Sequence, residues 1–181
     1  RPELLNCITS VANQTYREIQ HLIVVDGVEH KDKIASVFGK SRRILTSKQL
    51  SRINLMYLPY PLKKWGGPIY SLAPAVAKGD YIMNLDDDNT IDPVHIETCL
   101  ATIKRKKTDW CYSLRKIMRE GKFMFNDNCE SLGSLHHVWT ARNTFHIDTS
   151  AFFLPRHISL KMAYYWNFVE GERARQNDRA F

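Results

Sequence analysis

The chain has 181 residues, 44% of them hydrophobic and 25% charged, which is enough to bury one substantial core and too short for several, so a single domain is expected. A formal net charge of +7 and a pI near 9.3 favour anionic partners, whether nucleotide phosphates, an acidic acceptor or a membrane surface, with no pattern that asks for nucleic acid. No window holds the roughly 18 uninterrupted apolar residues of a spanning helix, and the first residues carry no apolar leader, so a soluble chain is expected. Cys7, Cys99, Cys111 and Cys129 form no C-x-x-C pair, a pattern of reduced thiols in a cytoplasmic setting without structural zinc.

In RPELLNCITSVANQT, Leu4, Ile8 and Val11 share a helical stripe with Leu5 and Ala12 beside it, so a helix is predicted, with Pro2 in its first turn. HLIVVDG is a short apolar run closed by Asp26 and Gly27, the pattern of a parallel strand buried on both faces. DKIASVFG predicts a short helix stopped by Gly39, and RINLMYLP a second strand stopped by Pro59. In PIYSLAPAVAKGD, Ile69, Leu72, Ala73 and Val76 predict a helix kinked at Pro74 and stopped at Gly79. YIMNL predicts a strand that delivers Asp86, Asp87 and Asp88. Asp92, before Pro93, is the candidate N-cap of a helix whose apolar positions are Val94, Ile96, Leu100 and Ile103. The basic run Lys104 to Lys107 at its end, followed by Arg115, Lys116, Arg119 and Lys122, is read either as complementing the helix dipole or as an anion or membrane patch. DWCYSLRKIMREGKFMF reads as a hairpin about Glu120 and Gly121, and FHIDTSAFFLPR as a strand stopped by Pro155.

Strands alternating with helices up to residue 107 predict a doubly wound α/β half, whose ligands sit beyond the carboxyl ends of the strands. Asp26 and the run Asp86 to Asp88 both fall there. Crowded carboxylates repel unless a cation neutralises them, and hard divalent ions such as Mn²⁺ or Mg²⁺ take carboxylate oxygens together with substrate phosphates. On an extended backbone Asp86 and Asp88 share a side and Asp87 faces away, leaving a D-x-D pair to serve the ion. A charged turn that caps the next helix is the plainer reading. An EF-hand is excluded, because Ile91 occupies the position where that loop needs glycine.

The succession SVANQTY, IVVDG, the GG of Gly66 and Gly67, and AKGDYIMNLDDDN resembles the family 2 glycosyltransferases, closely over residues 1 to 100 and loosely beyond. The resemblance implies a GT-A fold: a Rossmann-like α/β domain with a mixed, mainly parallel sheet flanked by helices. Residues 1–107 would form a nucleotide-binding half and 108–181 an acceptor-side half. Members begin with a strand that helps seat the base, so the chain is expected to be a fragment lacking that first strand. The resemblance further implies that Asp26 contacts the nucleobase, that Asp86 lies near the ribose or metal, and that Asp88 ligates a divalent metal on the diphosphate. The implied donor is a nucleotide-diphosphate sugar, a UDP-sugar by preference, and the implied acceptor a saccharide or a lipid-linked molecule. A cytoplasmic location with peripheral contact at the inner face of the membrane is expected.

Inverting transfer needs a base for the acceptor hydroxyl. In the family that base is a carboxylate late in the domain, which places it at Asp178 in RQNDRAF, although Asn177 stands where the first acid of the usual pair would be; Glu170 and Glu172 are the other candidates. In FHIDTSAFFL, strand alternation puts His146, Asp148 and Ser150 on one face, the acceptor side or a solvated face. Trp139, Tyr164, Tyr165 and Trp166 are read as core before sugar-stacking platforms. Two other functions fit the acids: a nucleotidyltransferase, which would need a glycine-rich basic phosphate loop not found here, and a noncatalytic module that binds nucleotide sugars.

Overall fold

The computed structural model describes residues 3–63, 66–127 and 147–168, the side chains of the last two excepted. Helix α1 (Glu3–Ala12) buries the predicted stripe of Leu4, Cys7, Ile8, Val11 and Ala12. Strand β1 (His21–Val25) pairs in parallel with β2 (Ile53–Tyr57), from His21 opposite Ile53 to Val25 opposite Tyr57. The crossover between them is a 3₁₀ turn (Val28–His30), α2 (Lys31–Ile44) and α3 (Ser47–Leu50), the last started by a Thr46–Gln49 capping box. Leu4, Ile8, Ala12 and Leu45 form a core against which Ile23, Ile34, Val37, Phe38, Leu50 and Ile53 pack. With β2 as its one partner among the described residues, β1 is half-buried except at Val25, not sealed on both faces as its apolar run suggests.

Gly39 does not stop α2. It lies in open space, with no atom within 4 Å of where a Cβ would sit. A glycine there costs about 1 kcal/mol, which the packing of Ile34, Val37, Phe38 and Leu45 around it outweighs.

Helix α4 (Gly67–Val76) starts after Gly66 and carries the buried Pro74 within it. Ala77 turns extended and donates its N–H to the Ala73 carbonyl at 2.9 Å, so the helix ends before Gly79. Strand β3 is only Tyr81–Ile82. Helix α5 (His95–Lys106) begins later than predicted and ends on Lys104, Arg105 and Lys106, where cations complement the helix dipole. Asp92 does not cap it: the carboxylate pairs with Lys116 at 2.8 Å, while the main-chain carbonyl accepts from His95 N–H.

The second half holds β4 (Cys111–Tyr112), the hairpin β5 (Lys116–Arg119) and β6 (Lys122–Asn126), β7 (Phe152–Pro155) and α6 (Arg156–Phe168). Strand β7 lies between β3 and β4, antiparallel to both. Among the described residues one strand pairing is parallel and three are antiparallel, so the sheets are mixed without a parallel majority. A second core joins Cys99 and Ile103 of α5 to Phe153 of β7, whose ring stacks on Tyr81 at 5.0 Å. None of the described helices is long and apolar enough to cross a membrane.

Candidate active site

Just beyond β3 the chain folds into a turn, the Asn89 N–H donating to the Asp86 carbonyl at 3.0 Å. The alternation expected of an extended D-x-D therefore does not apply. Asp87 and Asp88 occupy the exposed corner, while Asp86 is folded inward. Aspartate and asparagine suit such a turn.

Asp86 Oδ1 accepts a hydrogen bond from Tyr70 Oη at 2.6 Å. The Ser150 hydroxyl oxygen accepts from the Asp86 N–H at 3.4 Å and from Asn89 Nδ2 at 3.3 Å, closing the turn onto the segment before β7. Burial raises the Asp86 carboxyl above its ordinary value; the Tyr70 hydrogen bond works against that rise, and the charges of Asp148, Asp88 and Asp87 add to it. An ionised Asp86 is thus costly here, and a bound cation would relieve the cost.

Tyr70 is placed by the glycine pair. Gly66 has φ 82°, in the left-handed region, and a Cβ there would come within 3.2 Å of the Tyr70 ring. The other side of that ring meets Trp166 edge-on at 5.2 Å, and Ser71 Oγ ties the same helix to the Ala163 carbonyl at 2.8 Å. Gly66 is therefore a seat for the tyrosine that holds Asp86. Trp166 is core as expected, whereas Tyr164 and Tyr165 are exposed.

Helix α1 and the residues just after it support the segment that follows the turn. Fully buried Gln14 donates to the Asp92 carbonyl at 2.7 Å and accepts from the Ile96 N–H at 3.1 Å, and Ser10 Oγ accepts from the Ile91 N–H at 3.3 Å. The Cys7 thiol, buried in the same helix, is pushed up to about 12 by burial and then by Asp87, Asp86 and Asp88, so it is no nucleophile at neutral pH.

Asp148 does not sit on a regular strand face. Its Oδ1 accepts from the Ser150 N–H at 2.9 Å and starts a 3₁₀ turn (Thr149–Ala151), because a short acidic side chain satisfies that N–H locally. Its other oxygen pairs with Arg115 Nη1 at 2.6 Å, and Arg115 Nε pairs with buried Asp127 at 2.9 Å. Asp26 uses both carboxylate oxygens on the loop after β2, accepting from the Leu62 N–H at 2.6 Å and the Lys63 N–H at 3.0 Å.

The structure therefore brings Asp86, Asp87, Asp88 and Asp148 into one electrostatic neighbourhood, while Asp26 organises a separate loop. Asp178, His146, Glu170, Glu172, Asn177 and Trp139 lie outside the described residues. Among the described residues, no three His, Cys, Asp or Glu side chains converge as a metal cage. Neither Tyr70 nor Asp127 stands out in the sequence, and Arg115 stands there only as one of a series of basic residues. Tyr70 carried a faint signal, one turn after the glycine pair, but nothing local distinguishes Arg115 from Lys116.

With this geometry in place, comparison with protein families matches residues 1–167 to a family model described as Glycosyl transferase family 2. No curated protein matches the chain.

Proposed function

This chain belongs to glycosyl transferase family 2, whose fold is GT-A, and from that premise we propose that it moves a sugar from a nucleotide diphosphate to an acceptor hydroxyl with inversion. The observation that carries the reading is the acid turn, with one carboxylate held inward by Tyr70 and another exposed at its corner. The donor set suits a hard cation: Mg²⁺ and Mn²⁺ commonly take one or two carboxylates and leave their remaining positions to phosphate and water, so a three-residue cage is not needed. Asp88, with Asp86 beside it, would hold such an ion. When bound, the cation supplies positive charge against the charge that grows on the departing diphosphate.

The remaining assignments follow the same reading. Asp26 orders the loop that would border the base of a UDP-sugar, Asp148 and His146 belong to the acceptor side, and Asp178 takes the acceptor proton. The acceptor is a saccharide or a lipid-linked molecule, in polysaccharide or glycoconjugate synthesis on the cytoplasmic side. A chain of net charge +7 draws in anionic donors of this kind.

The test is a panel of nucleotide sugars incubated with Mn²⁺ or with chelator, following release of free nucleotide diphosphate. Metal-dependent release from at least one donor is expected; absence of release from every donor rejects the reading. Asp178→Asn should spare donor binding and lower transfer about 10²- to 10⁴-fold, and equal loss of both would remove Asp178 as the base.

A further inference from the structure

The hairpin of β5 and β6 turns through Glu120 (φ 51°) and Gly121 (φ 75°), two successive left-handed residues of the kind that suits a tight hairpin. Among the described residues it pairs with no other strand. One pair of opposed residues, Ile117 and Phe125, is half-buried, while a register shift after Ile117 turns the tip so that Met118 opposes Phe123. Met118, Phe123 and Met124 are 54%, 56% and 50% exposed, three large apolar side chains on the two strands close to the turn. Beside them Arg119 stands directly opposite Lys122. Like charges in opposed positions destabilise a hairpin, and Glu120 offsets only one of the two.

We propose that this tip docks on an anionic lipid surface, with Phe123, Met118 and Met124 entering the boundary between headgroups and acyl chains and Arg119 and Lys122 on the lipid phosphates. The charges favour this occupant: two opposed cations lie one rung nearer the turn than the apolar pair Met118–Phe123, interfacial anchors combine cations with apolar side chains in this way, and an anionic surface removes the repulsion between the two cations. The size of the tip favours it too. Three side chains fall well short of the roughly 800 Å² a side that a stable protein complex buries, whereas lipid imposes no matching shape. The base of the hairpin is fastened to the site, since Arg115 holds Asp127 and Asp148, and Lys116 holds Asp92. Docking would therefore hold the acid turn at a fixed position relative to the membrane, where a lipid-linked acceptor resides. That last consequence rests on the transferase reading; the docking does not.

The test is co-sedimentation of the full chain with vesicles of phosphatidylcholine containing phosphatidylglycerol, and with phosphatidylcholine alone. Binding to the anionic vesicles is expected, weakened by salt and by about fivefold for each of Arg119→Ser and Lys122→Ser. The double variant Met118→Ser, Phe123→Ser should lose binding, and Met118→Leu, Phe123→Leu should keep it, which separates lost apolar contact from lost folding. No binding to anionic vesicles overturns the proposal. So does binding that survives the serine double variant, that vanishes instead with Lys104→Ser and Lys106→Ser, or that gives way to a hairpin-dependent protein complex in solution. Nucleotide release without membrane is a separate readout, so failure of docking leaves the transferase reading standing.

Discussion

Tyr70 Oη donates to Asp86 Oδ1 at 2.6 Å, joining the first turn of α4 to the acid turn across sixteen residues of sequence. Because this bond holds the Asp86 carboxyl down against the upward push of burial, its removal makes the carboxylate harder to ionise. Tyr70→Phe should therefore shift the acidic limb of metal-stimulated turnover to higher pH and raise the Mn²⁺ requirement. Hydrogen bonds to charged groups contribute about 1.5–3 kcal/mol, so an effect of roughly tenfold or more is expected near the limb. An unmoved limb in the pH profile would separate Asp86 from the titrating group.

Gly66→Ala should destabilise the protein by about 1–2 kcal/mol, the cost of a Cβ in left-handed backbone, because the added methyl also meets the Tyr70 ring. Urea denaturation measures it. A loss below a few tenths would mean that the loop re-forms without the left-handed residue.

Asp86→Asn tests the cost of the inward charge. The folded carboxyl is raised above 3.8, so its contribution to stability is fully present below that pH and is lost as pH rises through the raised value. Without divalent cations the variant should melt higher than the parent at neutral pH, with the gap closing as pH falls toward 3.8; Mn²⁺ should stabilise the parent alone. Asp88→Ala, at an exposed turn position, should leave stability within about 0.5 kcal/mol and abolish metal-stimulated turnover. Full activity in the Asp88 variant would remove it from the site.

Arg115→Met removes the Arg115 ion pairs of buried Asp127 and of Asp148. Breaking a buried pair costs about 3–5 kcal/mol, and solvent at Arg115 and Asp148 reduces this to roughly 2–3. Adding Asp127→Asn should recover part of the loss. Independent, additive effects in the double-mutant cycle would show that the two residues do not interact.

His21 should make the fold acid-sensitive. Burial lowers its pKa from 6.5 to about 4, and its ring Nδ1 is enclosed without a hydrogen-bond partner. Stability from the neutral ring is complete above 6.5 and is lost as pH falls toward 4, by up to roughly 3 kcal/mol. His21→Gln should flatten the urea midpoint across that window, and an unchanged slope would place the acid sensitivity elsewhere.

Much of this arrangement is readable in the amino-acid order. The stripe of α1, the apolar runs of β1 and β2, the glycine pair and the acidic run are local patterns, and local periodicity reports which face of an element meets a core. The resemblance carried by those same segments led to the family. The misplacements are local as well. Gly39 has the local signature of a stop, yet the packing of Ile34, Val37 and Phe38 outweighs one exposed glycine. Asp92 was weighted as a cap, yet a lysine twenty-four residues away takes its carboxylate.

Periodicity and residue type thus settle which segments fold against a core and where acids collect. Which acid turns inward, and which distant side chain meets it, are settled by packing: Gly66 leaves room for Tyr70, Tyr70 reaches Asp86, and Arg115 joins Asp127 to Asp148. Such contacts link residues far apart in the chain, and no local pattern encodes them, because the hydrogen bond or ion pair exists only once separate elements have been brought within reach of each other.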